Sequence, residues 1–279
     1  MAESIPLTQF SAPADRAAFD LPGRSPGYLL LHGFTGDTRE MRPLAEAIAA
    51  QFGVHVRVPL WPGHGIPPQA MAGLRVTDFL GAGRQALDQM REKHSRVIVI
   101  AFSMGAALAI PLIAEQPVAG FVALAPMLSI RNPLLPLTPA LRHIVPWIYP
   151  LRMASIDDLG LRADLQQIDP ALDLDDPVTL DRLKREIRLP TSIFDELRQI
   201  QRGARRAAPK IYTPTLILQG STDLTLEPKG AHWLFDHLPA VDKQIYELPG
   251  ADHDLVKPRN KGHAEMLRRV LHWLSERFP

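Results

Sequence analysis

The stretch Val97-Ile-Val-Ile-Ala-Phe-Ser-Met-Gly-Ala-Ala-Leu-Ala-Ile110 joins two local patterns at Ser103. Its first part is rich in β-branched residues, which favour a strand, and its last part is rich in alanine, which favours a helix. A serine between a buried strand and a helix, with small residues two positions away on each side, is typical of the G-x-S-x-G nucleophile elbow. Ala101 replaces the first glycine of that pattern, so we expect a slight local adjustment and a retained turn.

The same region raises one alternative. Residues 97–114 carry no charge, and 18 such residues reach the lower limit for a membrane-spanning helix. The β-branched half and the alanine-rich half are hinged at Ser103, however, and a strand, a turn and a helix explain both halves. We therefore expect no stable membrane insertion.

Short apolar runs alternate with helical patterns along the chain, as in a parallel sheet covered by helices on both faces. The predicted strands are residues 28–31, 54–58, 97–102, 121–125, 215–218 and 244–248. Helices are predicted between the first two runs, with Asp37 and Glu40 as capping residues, and over residues 77–93 and 264–278. The sequence thus predicts an α/β fold with a mostly parallel sheet flanked by helices.

This alternation stops at about residue 128 and resumes near residue 210. The intervening stretch predicts a helix near residues 141–149 and a charged helical pattern over 178–206, without a convincing strand. We expect a core made of residues 1–127 and 210–279, and a helical insertion, residues 128–209, that forms a small cap. Arg202, Arg205 and Arg206 are expected to be a solvated face where the insertion rejoins the core.

Composition excludes several classes of protein. The 279 residues carry a net charge of only +1, which gives no electrostatic reason to expect a nucleic-acid partner. There is no cysteine, so disulfides, zinc thiolates and a cysteine nucleophile are excluded. Metal-ligand spacings, the Walker lysine and a dinucleotide fingerprint are also missing, so no cofactor is expected. The first residues do not resemble a signal peptide, and a cytoplasmic location is expected.

A serine hydroxyl becomes a good nucleophile when a neighbouring base accepts its proton and an acid orients that base. Asp223 follows the predicted strand at 215–218, and His253 follows the one at 244–248. Loops at the carboxyl ends of parallel strands converge at one edge of the sheet. The sequence therefore predicts a catalytic triad of Ser103, Asp223 and His253.

Other polar side chains near these positions have structural interpretations. His64 lies in the loop Pro62-Gly-His-Gly65 and is expected to brace it, and His32 is expected to hold the loop His32-Gly-Phe-Thr-Gly36. Asp252 and Asp254 are expected to be solvated neighbours of the catalytic histidine. Because glycine allows the backbone to turn tightly, the N–H of Phe34 can face the site and form an oxyanion hole with the N–H of Met104.

The residues His32–Gly36, Met41-Arg-Pro-Leu-Ala-Glu46, Pro62–Gly65 and Phe102-Ser-Met-Gly105, with Asp223 and His253, resemble the α/β-hydrolase fold. Within it the chain is similar to bacterial carboxylesterases and monoacylglycerol lipases that carry an HGFTG loop and a small helical cap, which the resemblance places after the sixth strand. Bacterial monoglyceride lipases of this kind have an acidic residue three positions before the proline of the cap. This chain has Ile187 there, with Glu186 alongside, which favours a general carboxylesterase.

The expected function is therefore hydrolysis of short to medium acyl esters of small molecules through an acyl-enzyme. Phe34, Trp147 and Ile187 are the candidate substrate-binding residues. The same residues could instead serve a monoacylglycerol lipase, an amide-cleaving enzyme similar to aminopeptidases, or a ligand-binding protein that has lost catalysis. The sequence leaves open whether the protein is a monomer or a homodimer.

Overall fold

The computed structural model describes residues 13–154, 161–162, 165–166 and 172–279. The strands are β1 (Phe19–Leu21), β2 (Arg24–Leu31), β3 (Val54–Val58), β4 (Val97–Phe102), β5 (Gly120–Leu124), β6 (Trp147–Ile148), β7 (Leu189–Pro190), β8 (Thr215–Gly220) and β9 (Lys243–Leu248). The helices are α1 (Arg42–Phe52), α2 (Val76–Lys93), α3 (Met104–Glu115), α4 (Thr138–Ile144), α5 (Pro150–Met153), α6 (Pro177–Glu186), α7 (Thr191–Ala207), α8 (Lys229–His237) and α9 (His263–Arg277).

Seven of these strands form one sheet in the order β1-β3-β2-β4-β5-β8-β9. All neighbours pair in parallel except β1 and β3. The six predicted strands are confirmed, although β2 begins earlier, at Arg24. The sequence prediction missed β1, a three-residue edge strand that is too short to give a recognisable alternation.

Side chains of the sheet alternate between two buried clusters. Val99 and Ala101 point to the cluster that contains α2, α3 and α8, whereas Ile100 and Phe102 point to the cluster that contains α1 and α9. Successive side chains of a strand face opposite sides, so a strand buried on both sides reads as a continuous apolar run. The α/β class predicted from those runs is confirmed.

The insertion, defined as residues 128–209, lies between β5 and β8 and holds α4 to α7 together with β6 and β7. It follows the fifth strand that the structure describes, whereas the sixth was expected. The predicted helix at 141–149 instead ends at Ile144, because Pro146 disfavours helical geometry in the residue before it. Trp147 and Ile148 then pair with Pro190 and Leu189, a two-stranded ladder that the sequence prediction missed.

Polar contacts link the insertion to the rest of the fold and link the two ends of the insertion to each other. The carboxylate of Glu196 on α7 accepts a hydrogen bond from the N–H of Val76, 2.8 Å away, at the first residue of α2. The guanidinium of Arg205 donates to the carbonyl of Leu128 at 2.6 and 3.1 Å and stacks over the ring of Trp233 at 4.4 Å. The expectation of a solvated arginine face is therefore wrong for Arg205, which closes the two ends of the insertion.

Candidate active site

Ser103 occupies the tight turn between β4 and α3 with φ of 52° and ψ of −114°. A positive φ is uncommon for a residue with a side chain, and such strain persists only where the surroundings hold it. Here the Ser103 N–H donates to the carbonyl of Leu124 at 2.9 Å, and its carbonyl accepts from the N–H of Met127 at 3.1 Å. The neighbouring strand β5 and the segment after it therefore stabilise the turn.

The two small residues of the elbow have different importance. A Cβ added to Gly105 would lie 2.6 Å from the carbonyl oxygen of His32 and 2.7 Å from that of Leu31, so only glycine fits there. Ala101 is completely buried, and its methyl group is accommodated in the cluster below the turn. The departure from the G-x-S-x-G pattern at Ala101 therefore leaves the turn intact.

The structure brings Ser103, His253 and Asp223 together. The His253 Nε2 lies 3.0 Å from the Ser103 Oγ, and its Nδ1 lies 2.8 Å from the Asp223 Oδ2. A carboxylate can only accept, so the proton sits on Nδ1, and Nε2 is left to accept the hydroxyl proton of Ser103. This arrangement allows the imidazole to remove a proton from the serine.

Asp223 is held by several donors. Its Oδ1 accepts from the N–H groups of Thr225 and Leu226, both at 2.8 Å, and its Oδ2 also accepts from the Gln219 side chain at 2.9 Å. Burial by itself would raise the pKa of this carboxyl, but the hydrogen bonds from His253, Leu226 and Gln219 outweigh it and lower the pKa. Asp223 is therefore a buried carboxylate that can stabilise a positive charge on the histidine.

The loops that carry Asp223 and His253 pack directly on each other. A Cβ at Gly220 would lie 2.3 Å from the carbonyl oxygen of Asp252, so the two backbones approach as closely as glycine permits. The N–H and the hydroxyl of Thr222 both donate to the carbonyl of Ala251, at 3.0 and 2.9 Å. These contacts fix the spacing between the acid and the histidine.

The loop from His32 to Gly36, which we name the glycine loop, lies against Ser103. A Cβ at Gly33 would lie 3.4 Å from the Cβ of Ser103. The Nε2 of His32 accepts from the N–H of Trp61 at 3.1 Å, so its proton is on Nδ1, which donates to the Gly33 carbonyl at 2.9 Å. Within the glycine loop, Thr35 has a positive φ of 61°.

His32 and His64 are buried and uncharged. Burial lowers the pKa of His64 to about 4 and lowers that of His32 well below its usual value. His64 holds the carbonyl of Pro62 through its Nδ1 at 2.9 Å, within its own loop. The structural roles expected for both histidines agree with these contacts.

The side chains expected to bind substrate lie in different surroundings. The Phe34 ring packs edge-on against the rings of His64 and Phe194, with ring centres 6.2 Å apart in both pairs. Trp147 lies under the guanidinium of Arg188 at 4.3 Å and lines a groove of about 320 Å³ between the insertion and Ala72 of the core. Ile187 packs against a cluster of leucines inside the insertion, formed by Leu151, Leu165, Leu174 and Leu183.

Sequence reasoning missed three contacts at the site. Phe194 brings the insertion to the glycine loop, and Gln219 supports the acid. Glu40 was expected to cap a helix, but its carboxyl accepts from the N–H of Gly33 at 3.1 Å, and Asp37 alone caps the 3-10 turn Thr38–Met41. The only sign of this contact in the sequence is that Glu40 lies seven positions after Gly33. An ordinary helix-capping residue could have the same spacing.

The sequence matches the Hydrolase_4 family, described as serine aminopeptidase, S33, over residues 28–260. The chain belongs to this family. Two relatives in sequence support the assignment. The thermostable monoacylglycerol lipase of Bacillus sp. (strain H-257) is 26% identical over 228 residues, which are 81% of this chain and 82% of that protein. The carboxylesterase of Bacillus subtilis (strain 168) is 22% identical over 253 residues, 89% and 93% of the two chains.

Solved structures share the fold of this member of the serine aminopeptidase S33 family. A structure described with the metagenome-derived lipolytic enzymes LipS and LipT superposes with a TM-score of 0.77 at 20% identity, over 95% of this chain and all of that one. The monoacylglycerol lipase of Paleococcus ferrophilus gives 0.70 at 21% identity, over 93% and 98% of the two chains. The expected α/β-hydrolase resemblance is confirmed, and the protein is a serine hydrolase.

In the described part of its chain, this S33 family member has neither a membrane-spanning helix nor a metal-binding cluster. No helix there is long and apolar enough to span a membrane. Among the same residues, no group of three or more histidine, aspartate or glutamate side chains is arranged to hold a metal ion.

Proposed function

We propose that the protein hydrolyses carboxylic esters of small molecules through an acyl-enzyme on Ser103. The observation that carries this proposal is the unbroken row of hydrogen bonds from Ser103 Oγ through His253 to Asp223, at 3.0 and 2.8 Å. An imidazole placed between a hydroxyl and a buried carboxylate is the arrangement that activates a serine.

In the first half of the reaction His253 Nε2 accepts the hydroxyl proton as Ser103 Oγ attacks the ester carbonyl. The imidazolium that forms is stabilised by the Asp223 carboxylate and then donates its proton to the leaving alcohol. In the second half a water loses its proton to the same nitrogen and attacks the acyl-enzyme. The imidazolium then donates that proton to the departing Ser103 Oγ, which releases the acid and restores the serine hydroxyl.

The N–H groups of Phe34 and Met104 are the proposed oxyanion hole. Met104 is the first residue of α3, so its N–H has no acceptor within the helix. The Gly33–Phe34 peptide is planar and trans, and His32 holds its carbonyl; the Phe34 N–H therefore points away from His32. Two such donors stabilise the negative oxygen of the tetrahedral intermediate.

For the substrate, we propose short to medium acyl esters with the insertion, residues 128–209, as a cap over the serine. The contact between Phe194 of α7 and Phe34 of the glycine loop supports this, because it brings the insertion beside the proposed oxyanion hole. Phe34, Trp147 and Ile187 remain the proposed substrate-binding residues. An isoleucine at position 187 offers no polar contact to a glycerol head, so we favour a general carboxylesterase over a monoglyceride lipase.

Amide cleavage is the second candidate, because the matching family is described as serine aminopeptidase. The same serine, histidine and aspartate could cleave an amide by the same steps. The names of the two Bacillus relatives, a monoacylglycerol lipase and a carboxylesterase, favour the ester.

The test combines a covalent probe with a substrate panel. Wild-type protein, Ser103→Ala and the control Ser275→Ala, which alters an exposed serine on α9, are treated with a fluorophosphonate and assayed on nitrophenyl esters, monoglycerides and aminoacyl amides. We expect labelling and ester hydrolysis in the wild type and the control, and loss of both in Ser103→Ala. A folded wild-type protein that is neither labelled nor active would refute the proposal, and faster cleavage of amides would favour the second candidate.

A further inference from the structure

The Glu40 carboxyl lies inside the glycine loop and touches both of its glycines. Its Oε2 accepts from the N–H of Gly33 at 3.1 Å. A Cβ added to Gly36 would lie 2.1 to 2.2 Å from its carboxyl atoms, so the carboxyl packs directly against the Gly36 backbone. One side chain therefore contacts the beginning and the end of the turn that contains Phe34.

The hydrogen bonds made by Glu40 and by His32 fix two consecutive peptide groups. Glu40 binds the N–H of Gly33, which belongs to the peptide before that residue, and His32 binds the carbonyl of Gly33, which belongs to the peptide after it. With both peptide planes fixed, the direction of the Phe34 N–H is fixed as well. Thr35 in the same loop has a positive φ, which is a strained conformation for a residue with a side chain. The hydrogen bonds made by Glu40 and His32 stabilise the loop against that strain.

The charges around Glu40 come from two elements. On its own 3-10 turn, Asp37 is paired with Arg39 at 2.7 Å. From the loop after His253, Asp254 and Lys257 face it, and these two are paired with each other at 2.9 Å. Both carboxylates near Glu40 are therefore already engaged, and both disfavour a third negative charge.

Resting on the function proposed above, we propose that Glu40 is a positioning residue whose carboxyl, bound to the Gly33 N–H and packed on Gly36, holds the Gly33–Phe34 peptide for oxyanion binding. Burial raises the pKa of this carboxyl to about 8; Lys257 and the Gly33 N–H oppose the rise, whereas Asp254 and Asp37 add to it. At neutral pH the group therefore accepts from Gly33 without adding a negative charge to the loop that carries the Phe34 N–H. Above that pKa the charge appears and opposes the transition state.

The experiment compares Glu40→Gln and Glu40→Ala with the wild type. Glutamine mimics the protonated acid, because it keeps an acceptor for the Gly33 N–H and carries no charge. Glu46→Gln is the matched control, since Glu46 is exposed on α1 and pairs only loosely with Arg42 at 3.5 Å. For each folded protein, kcat and KM on one nitrophenyl ester are measured from pH 6 to pH 9.5.

In the wild type and in Glu46→Gln we expect kcat to fall by about 10-fold above pH 8, as charge appears beside the oxyanion. Glu40→Gln should keep its kcat at pH 7 within about 2-fold and should lose the alkaline fall, since it has no proton to release. Glu40→Ala should lower kcat at pH 7 by about 10-fold with little change in KM, because the loop loses its support in the transition state.

The outcomes separate this inference from the proposed function. A wild type without esterase activity refutes the proposed function. An active wild type overturns the inference if its kcat does not fall above pH 8, or if the fall persists unchanged in Glu40→Gln. Full kcat in a folded Glu40→Ala also overturns it. Should the alanine variant fail to fold, the pH profile of Glu40→Gln decides the question alone.

Discussion

The Nε2 of His253 lies 3.0 Å from the Oγ of Ser103, although the two residues are 150 positions apart in the chain. The parallel sheet produces this proximity, because Ser103 follows β4 and His253 follows β9, and both strands end at the same edge. The Phe102 ring packs on the imidazole with ring centres 5.1 Å apart, so the strand that carries the serine also positions the histidine.

Replacement of the acid by its amide should separate orientation from charge. Asp223→Asn keeps the size of the side chain but cannot serve as a carboxylate toward His253 Nδ1, so we expect kcat to fall by roughly 10³- to 10⁴-fold. Circular dichroism should show a folded protein. Asp236→Asn, an exposed aspartate on α8, is the control and should keep its activity; an active Asp223→Asn would mean that another group orients the histidine.

Acid should weaken the fold through the buried histidines. The pKa of His64 falls from 6.5 to about 4 on folding, so between these values the unfolded chain binds more protons than the folded one. Stability from this residue is complete above pH 6.5 and is lost as the pH falls toward 4, with a slope of at most about 1.4 kcal/mol per pH unit. Urea denaturation at pH 7, 5.5 and 4.5 measures this slope.

His64→Gln removes the titrating group and should make that slope shallower. The control is His272→Gln, because His272 is exposed on α9. Equal slopes in the wild type and in His64→Gln would show that His64 does not contribute to the acid sensitivity.

The arginines at the end of α7 should differ in their effect on stability. Arg205→Ala loses two hydrogen bonds to the Leu128 carbonyl and the stacking on Trp233, and we expect a loss of about 1–3 kcal/mol in the free energy of unfolding. Arg206→Ala changes an exposed side chain in the same turn and should stay within about 0.5 kcal/mol of the wild type. Chemical denaturation of both variants measures these changes. Equal losses in the free energy of unfolding would contradict this prediction.

Acyl-chain preference should respond to the contact between Phe34 and Phe194. Each methylene buried in an acyl channel contributes about 0.8 kcal/mol, so kcat/KM should rise from C2 to C6 nitrophenyl esters and level off before C12. Phe194→Ala opens space beside Phe34 and should shift the optimum to longer chains. Tyr212→Ala, which removes an exposed ring, is the control. A wild-type preference for C2 would argue against an acyl channel.

The sheet and the row Ser103–His253–Asp223 were predictable because they depend on local patterns. A strand buried on both faces gives an apolar run, and a parallel sheet brings the carboxyl ends of its strands together. The roles of Glu40 and Gln219 were not predictable in this way. Glu40 contacts a backbone N–H and Gln219 contacts a carboxylate only after the chain has folded. In the sequence, Glu40 has the pattern of an ordinary capping residue and Gln219 that of a residue at the end of a strand.

The insertion was predictable in position and less so in detail. Its place between two strands of the sheet was indicated by the interrupted strand pattern, but the pairing of Trp147 with Pro190 joins segments far apart in sequence, each two residues long. Such short pairings produce no alternation that could be recognised. Arg205 was misjudged for a related reason, since its partner Leu128 lies at the other end of the insertion and its partner Trp233 lies on α8.

The division of the site along the chain has a practical consequence for fragment complementation. Ser103 and the glycine loop precede the insertion, whereas Asp223 and His253 follow it, on loops that are tied together through Gly220 and Thr222. Cutting the backbone within the insertion would sever no strand of the seven-stranded sheet, yet it would leave the nucleophile on one polypeptide and its base on the other. Ester turnover would then report directly on reassociation of the two pieces.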